Sequence, residues 1–329
     1  MVTYGKSRSR AACSEEVAMP RIPVDRPDDP RVAEYRDVRE ADLMRERGLF
    51  VAEGRLVVAR LIRARSYAIR SMLLSRTACE ALAPVLAEVA SEVPIYVCDS
   101  DAFSLVAGFD LHRGCLALVE RPRPLALSEL LGAAHLLIML EGVGNADNVG
   151  GVFRNAAAFG ADAVLLSPTT CDPLYRKAIR TSMAATLQVP FCRAEPWPDI
   201  LGLVGTPFTI AALTPRAPAM TIDEFVAAGV PDRLVLLIGN EGAGLSAAAE
   251  AYASCRVRIP IRPDIDSLNL AVAVGVALSR VGYRVANDDS VPHTAVGAVG
   301  GSCHKAVQEI GLDDHTAGPQ HREELNRER

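Results

Sequence analysis

Histidine is scarce in this chain of 329 residues. His112 and His135 stand in its body, and the other four of the six lie beyond residue 290. That supply argues against a histidine-built metal centre or a histidine general base in the core. The eight cysteines are Cys13, Cys79, Cys98, Cys115, Cys171, Cys192, Cys255 and Cys303. No two are within four residues of each other, which excludes a CxxC redox pair and metal-knuckle spacing. Isolated thiols in a reducing cytoplasm, and no bound metal, are the expectation. Long apolar runs are also missing. The longest, "LNLAVAVGVAL", contains Asn269 and is far too short to span a bilayer. The start, "MVTYGKSRSRAACSEEV", has basic residues but no apolar segment behind them, so no secretory signal is expected. A soluble cytoplasmic protein with no membrane partner follows as the expectation. Nor is there a large charge of either sign: the net charge is −5. A local basic surface is all that nucleic-acid binding needs, so the global balance leaves the partner open.

What is present is apolar material, half of all residues, enough for about two domains. Residues 1–27 and 287–329 show no hydrophobic period and are expected to be disordered tails. Residues 28–121 alternate helical and strand patterns, "FVAEGRLVVARLIRA", "IRSMLLS", "ACEALAPVLAEVA", "PIYVCD" and "HRGCLALVE", and predict a small α/β domain. After "RPRPLALS", a linker running into a helix capped by Ser128, residues 122–286 alternate again. Their strands, "HLLIML", "ADAVLLS", "FTIAALT", "LVLLIG" and "CRVRIPI", are almost continuously apolar, as a parallel sheet covered on both faces requires. The intervening helices include "PLYRKAIRTSMAATL" and "SLNLAVAVGVALSRVGY".

Ligands of such sheets bind beyond the carboxyl ends of the strands, and three turns there have unusual chemistry. The first opens "LEGVGNADNVGGVFRNAAAFGADAVLLS", Leu140 to Ser167. From Gly142 it reads GVGNAD, without the third glycine of a dinucleotide fingerprint. A phosphate, a nicotinamide dinucleotide and a methyl donor all remain open on this turn alone. Arg154 falls in the first turn or two of the following helix, where the dipole disfavours a cation. Small neighbours, Gly150, Gly151 and Ala156 to Ala158, leave it room to reach a substrate or a partner chain. The second turn, "LVLLIGNEGAGLS", surrounds Asn240 and Glu241 with Gly239, Gly242 and Gly244. Its glycines suit close backbone approach to a ligand, while the Glu241 carboxylate repels phosphate and suits a neutral or cationic group. The third, "RIPIRPDIDSLNLAVAVGVAL", offers Ser267 as a helix cap and Asn269 as an amide inside an apolar helix, where it needs a hydrogen-bond partner.

Taken together, the three turns resemble the motifs of the SpoU (TrmH) family of RNA ribose 2′-O-methyltransferases, within the SPOUT superfamily. "NADNVGGVFRNAAAFGA" resembles the first motif, an asparagine, a glycine and an arginine on one helix. "LLIGNEGAGLS" resembles the second almost letter for letter, and "RIPIRPDIDSLNLAVAVGVAL" the third, all in the family's order. "FVAEGRLVV" and "HRGCLALVE" resemble the family's N-terminal substrate-recognition domain, itself like a small RNA-binding ribosomal-protein fold. Two positions depart from the pattern. Asp147 stands where the family usually has proline, and the glycine common after the IP pair is absent from "IPIRPDID".

The resemblance implies a knotted (trefoil) α/β methyltransferase domain with a mostly parallel sheet, S-adenosylmethionine bent in the knot's loops, and a homodimer that completes each active site. It assigns donor binding to Leu213, Thr214, Gly239, Asn240, Gly244, Ile259, Ile261 and Leu268. The catalytic set is Arg154, with Asn148, Glu241, Ser267 and Asn269 orienting it and the substrate. Arg176, Lys177 and Arg180 of "YRKAIRTSM", with Arg55 in the small domain, are the expected phosphate contacts. The substrate class implied is structured RNA, ribosomal or transfer. Two readings compete: a nicotinamide-dependent oxidoreductase, and a non-catalytic RNA-binding relative.

Overall fold

The computed structural model describes residues 21–36, 40–107 and 114–282. The long tails predicted beyond residue 286 and before residue 21, and the first two residues of "HRGCLALVE", lie outside them. The chain divides into two compact units between Glu120 and Arg121, against an expected boundary after residue 121.

The first unit carries β1 (Arg21–Pro23), α1 (Glu40–Arg47), β2 (Leu49–Glu53), α2 (Arg55–Ala64) and β3 (Ile69–Ser75). It continues through α3 (Arg76–Ala81), α4 (Ala83–Leu86), β4 (Ile95–Cys98), α5 (Ser100–Ala107) and β5 (Cys115–Glu120). The sheet order is β1-β4-β3-β5-β2. β1, β4 and β3 run parallel, and β5 turns antiparallel to both β3 and β2. Two sequence expectations fail here. Residues 21–27 are not all tail, because Arg21–Pro23 pairs with β4 and Val24 is buried behind it. The alanine-rich helix also breaks into α3 and α4, since Pro84 in the first turn of α4 has no N–H to continue the ladder. Elsewhere the pattern reads true: α2 buries Val57, Val58, Leu61 and Ile62 on one stripe and exposes its arginines.

The second unit begins with α6 (Leu127–Ala133), β6 (Leu136–Leu140), α7 (Ala146–Phe159), β7 (Ala163–Leu166), α8 (Arg176–Thr181) and β8 (Phe191–Arg193). Then come α9 (Ile200–Gly205), β9 (Thr209–Leu213), β10 (Met220–Thr221), α10 (Ile222–Ala227) and β11 (Leu234–Ile238). It closes with α11 (Ala247–Glu250), β12 (Cys255–Arg258) and α12 (Leu270–Val281). Its sheet, β10-β12-β9-β11-β6-β7-β8, is parallel at every pairing. Every residue of β6 and β11 is buried, which explains their unbroken apolar sequence. α6 and α9 cover one face, packing Leu127, Leu131, Ile200 and Val204 against Leu137, Met139, Val235 and Leu237. The chain starts at β6, runs outward through β7 to the β8 edge, then crosses to β9 beyond β11. That reversal places a switch-point crevice at the carboxyl ends of β6, β11 and β9.

Helix ends differ from the sequence expectation in three places. α6 is entered at Ala126, whose N–H is taken by the Glu129 carboxylate at 3.0 Å, so Ser128 is not the cap. "PLYRKAIRTSMAATL" is not one helix. α8 stops at Thr181, because Met183 and Ala184 adopt left-handed backbone angles before a short 3-10 turn. α12 starts at Leu270 and not at Ser267.

The described cysteines are all free thiols. Burial pushes Cys98 up to about 11 and Cys115 to about 12, so almost no thiolate forms at pH 8. Iodoacetamide at that pH is expected to leave both unlabelled in the native protein and to modify them once denaturant is added. Mass mapping of labelled peptides checks this; rapid native labelling of Cys115 contradicts it.

Candidate active site

Four loops leave the carboxyl ends of β6, β9, β11 and β12, and the last three wall a cavity of about 320 Å³. All eight residues expected to bind a donor line it: Leu213, Thr214, Gly239, Asn240, Gly244, Ile259, Ile261 and Leu268. Leu213 and Thr214 leave β9, where the Thr214 N–H donates to the Val257 carbonyl of β12 at 2.9 Å. Asn240 turns the second loop by exchanging backbone hydrogen bonds with Gly244. Its side-chain oxygen accepts the Gly242 N–H at 2.7 Å, and its amide donates to the Gly142 carbonyl at 2.8 Å. One side chain therefore shapes its own loop and ties it to the loop after β6. Gly244 has a φ of +72°, which favours glycine.

Three of the five expected catalytic residues meet. Asn148, buried in the first turn of α7, donates its amide N–H to the Glu241 carboxylate. Its oxygen accepts the Asn269 amide at 2.8 Å. Asn269 is the N-cap of α12, its own oxygen accepting the Val272 N–H at 3.2 Å. The expectations for the third motif therefore need correction. Asn269, not Ser267, caps the helix, and it is exposed at the helix entrance and not an amide buried inside it. A capping asparagine keeps its amide free to donate while its oxygen serves the backbone, and Asn148 takes that donation. Ser267, like Glu241, lines the cavity.

Arg154 does not join them. It is exposed in the third turn of α7, does not line the cavity, and makes no hydrogen bond or ion pair among the described residues. Because α7 begins at Ala146, Arg154 lies deeper than the first two turns, and the dipole penalty expected of it is small.

The expected RNA contacts separate into two groups. Arg55 begins α2 in the first unit and is exposed. Arg176, Lys177 and Arg180 lie on α8, which packs on α7 so closely that a Cβ on Gly150 would fall 2.6 Å from the Ala178 carbonyl. Lys177 is already engaged, 2.7 Å from Asp147. Its hydrogen bond holds the Asp147 carboxyl below the usual carboxylate range, with Thr181 and the Arg180 charge adding to the effect. Asp147, which departs from the usual proline, thus fastens α8 to the first turn of α7, where the dipole favours an acid.

One supporting residue escaped the sequence reading. The Glu141 carboxylate accepts from Trp197 Nε1 at 2.8 Å, from Ser246 Oγ at 2.7 Å and from the Ser246 N–H at 2.8 Å. It anchors the far end of the cavity-lining loop, where Ser246 caps α11. Its place directly after β6 was the available signal, but its partners lie 56 and 105 residues away. Glu141→Gln puts a donor NH₂ where three donors converge, at a cost of about 1–3 kcal/mol. A melting temperature at least roughly 2–4 °C lower is expected, with red-shifted emission from Trp197, the single tryptophan. Unchanged emission and melting would show the contact to be idle.

The fold defines the class first: an α/β protein with a parallel sheet and its cavity at the strand carboxyl ends. An AdoMet-bound rRNA methyltransferase from Sinorhizobium meliloti superposes with a TM-score of 0.66 at 24% identity, covering 79% of this chain and 96% of that one. The SpoU methyltransferase AviRb from Streptomyces viridochromogenes, in complex with AdoMet, gives 0.63 at 20% identity, covering 77% and 97%. These likenesses establish the fold. In sequence, residues 135–279 match the model of the SpoU rRNA Methylase family. An uncharacterized tRNA/rRNA methyltransferase of Mycobacterium bovis is 38% identical over 267 residues, 79% of this chain and 92% of that protein. The 23S rRNA (guanosine(2553)-2′-O)-methyltransferase RlmP of Bacillus subtilis is 28% identical over 186 residues, 56% of this chain and 71% of its own. The chain belongs to the SpoU family of tRNA/rRNA methyltransferases.

Proposed function

We propose that the chain transfers a methyl group from S-adenosylmethionine to a ribose 2′-hydroxyl of a structured ribosomal or transfer RNA in the cytoplasm, acting as a homodimer. The observation that carries the reading is the Glu241–Asn148–Asn269 chain of hydrogen bonds, which joins all three motif loops at the edge of the cavity. The trefoil threading implied by the motifs, with backbone crossing near Gly239 and Leu268, belongs to the same reading.

The residues present fit the donor. The cavity volume falls in the range of small-molecule sites. Its apolar lining at Ile238, Ile259, Leu268 and Leu270 suits an adenine, and the backbone of Gly239 and Gly244 in the same wall suits polar edges. Carboxylates at Glu241 and Asp266 suit positive charge and repel phosphate, which disfavours a dinucleotide. When bound, the donor supplies an electrophilic methyl on a positively charged sulfur.

The chain supplies position and charge. Asn148 fixes Glu241 and is itself fixed by Asn269, so the loops cannot drift independently. Arg154 stands outside its own chain's cavity, and we assign it to the cavity of the second copy. There its guanidinium grips the phosphate next to the target ribose and stabilises negative charge developing on the 2′-oxygen. A guanidinium does not accept the hydroxyl proton, so the proton passes to water. Arg176 and Arg180 hold further phosphates, and Arg55 serves as a phosphate contact of the first unit.

The test is incubation of the full chain with methyl-labelled donor and total RNA, followed by alkaline hydrolysis. Label recovered in alkali-stable dinucleotides supports ribose methylation, because a 2′-methoxy group blocks strand cleavage. Label found in bases, or no transfer, overturns it.

A further inference from the structure

Among the residues that line the cavity, the charged ones are Arg216, Glu241 and Asp266. Arg216 lies on the loop after β9, in a turn set by its own N–H donating to the Thr214 hydroxyl at 3.2 Å. Its guanidinium crosses to the loop after β11 and donates one N–H to the Ala243 carbonyl at 2.5 Å. It passes over Gly244, where an added Cβ would sit 3.2 Å from a guanidinium nitrogen. One carbonyl occupies one donor of a five-donor fork, and no carboxylate pairs with this arginine among the described residues. An arginine with spare donors, in the wall of a cavity whose other charged side chains are acidic, selects a carboxylate-bearing end of the ligand.

We infer that Arg216 is a specificity-determining residue that binds the α-carboxylate of the donor's amino-acid end, while the carboxylates of the same cavity accommodate its positive charges. The inference rests on the donor reading above and adds to it a recognition of the amino-acid portion, where the nucleoside portion is held by backbone and apolar contacts. The same arginine also clips the loops after β9 and β11 together, so ligand and loop closure share one side chain.

Two probes separate the roles: S-adenosylhomocysteine, which carries the carboxylate, and methylthioadenosine, the same thionucleoside without the amino-acid end. Calorimetry on the full chain is expected to show Arg216→Ala binding S-adenosylhomocysteine ~10-fold more weakly, with methylthioadenosine affinity changed less than about twofold. Arg216→Lys, which keeps the charge and loses the fork, is expected to fall between. An equal loss for both probes would reduce Arg216 to a loop clip, and no loss for either would remove it from the site; both outcomes overturn the assignment. Wild-type protein that binds neither probe overturns the donor reading and this assignment together.

Discussion

Arg154→Ala is expected to lower methyl transfer by about 10²–10³-fold, the loss typical of removing one transition-state donor, while leaving the affinity for S-adenosylhomocysteine unchanged. The two halves of this expectation come from different facts. The side chain lies outside the cavity wall and makes no hydrogen bond or ion pair among the described residues, so its removal disturbs neither donor pocket nor fold. An exposed arginine without such partners, on the helix whose first turn carries Asn148, has its five donors available to a phosphate and a 2′-oxygen. Arg154→Lys keeps the charge but cannot hold phosphate and oxygen in one plane, and is expected to recover only a small part of the rate. Single-turnover kinetics beside donor calorimetry provide the check. The assignment to the second copy adds a sharper measurement. Mixing Arg154→Ala with a Gly239→Ala chain that cannot bind donor regenerates one intact site in a mixed dimer, so activity should reappear in the mixture. If each variant alone and the mixture are equally dead, Arg154 does not act across the interface; near-normal turnover by Arg154→Ala removes it from the mechanism.

Much of this site was legible because it is written in local chemistry. Glycines and short polar side chains directly after apolar strands mark ligand loops whatever the ligand, and all eight expected donor contacts line one cavity. What could not be read depended on partners distant in sequence. Ser267 and Asn269 are both good caps two residues apart, and propensity does not choose between them. The choice falls to Asn269, whose amide is also wanted by Asn148, 121 residues away. Glu141 looks like an ordinary turn carboxylate until Trp197 and Ser246 are folded against it. The break after α8 needs left-handed backbone at Met183 and Ala184, which neither residue type advertises. The β1 and β8 strands are three residues each, too short for alternation to register. Arg216 was hidden for another reason: a lone arginine after a strand carries no motif, and its meaning comes from the acidic and apolar company it keeps in the cavity.

The second large effect is expected at Gly239. A Cβ built there would lie within 2.5 Å of the Gly244 carbonyl oxygen and closer still to the Gly244 carbon and the Leu245 nitrogen. These are backbone atoms held by the Asn240–Gly244 bridge and by Glu141 through Ser246, so they cannot swing aside as a side-chain tip would. Gly239→Ala must therefore push the loop after β11 out of its turn. Overpacking of this kind costs about 1–3 kcal/mol or more, and the same displacement opens the wall formed by Gly239, Asn240 and Gly244. The expectation is loss of measurable donor binding together with a melting temperature at least roughly 2–4 °C lower. Gly144→Ala supplies the contrast: nothing lies within 4 Å of its added Cβ, so stability and binding should stay at wild-type levels. Between them, Gly242→Ala would bring its Cβ to 3.4 Å from the Asn240 side-chain oxygen, an ordinary contact, and a small effect is expected. That ranking, Gly239 far above Gly242 and Gly144, is not visible in the sequence, where all three are simply glycines of turns that follow apolar strands. Calorimetry and thermal melts on the three variants measure it directly. Donor binding retained by Gly239→Ala would mean that the loop accommodates a side chain there, and that the close approach of Gly239 to the Gly244–Leu245 backbone is not required.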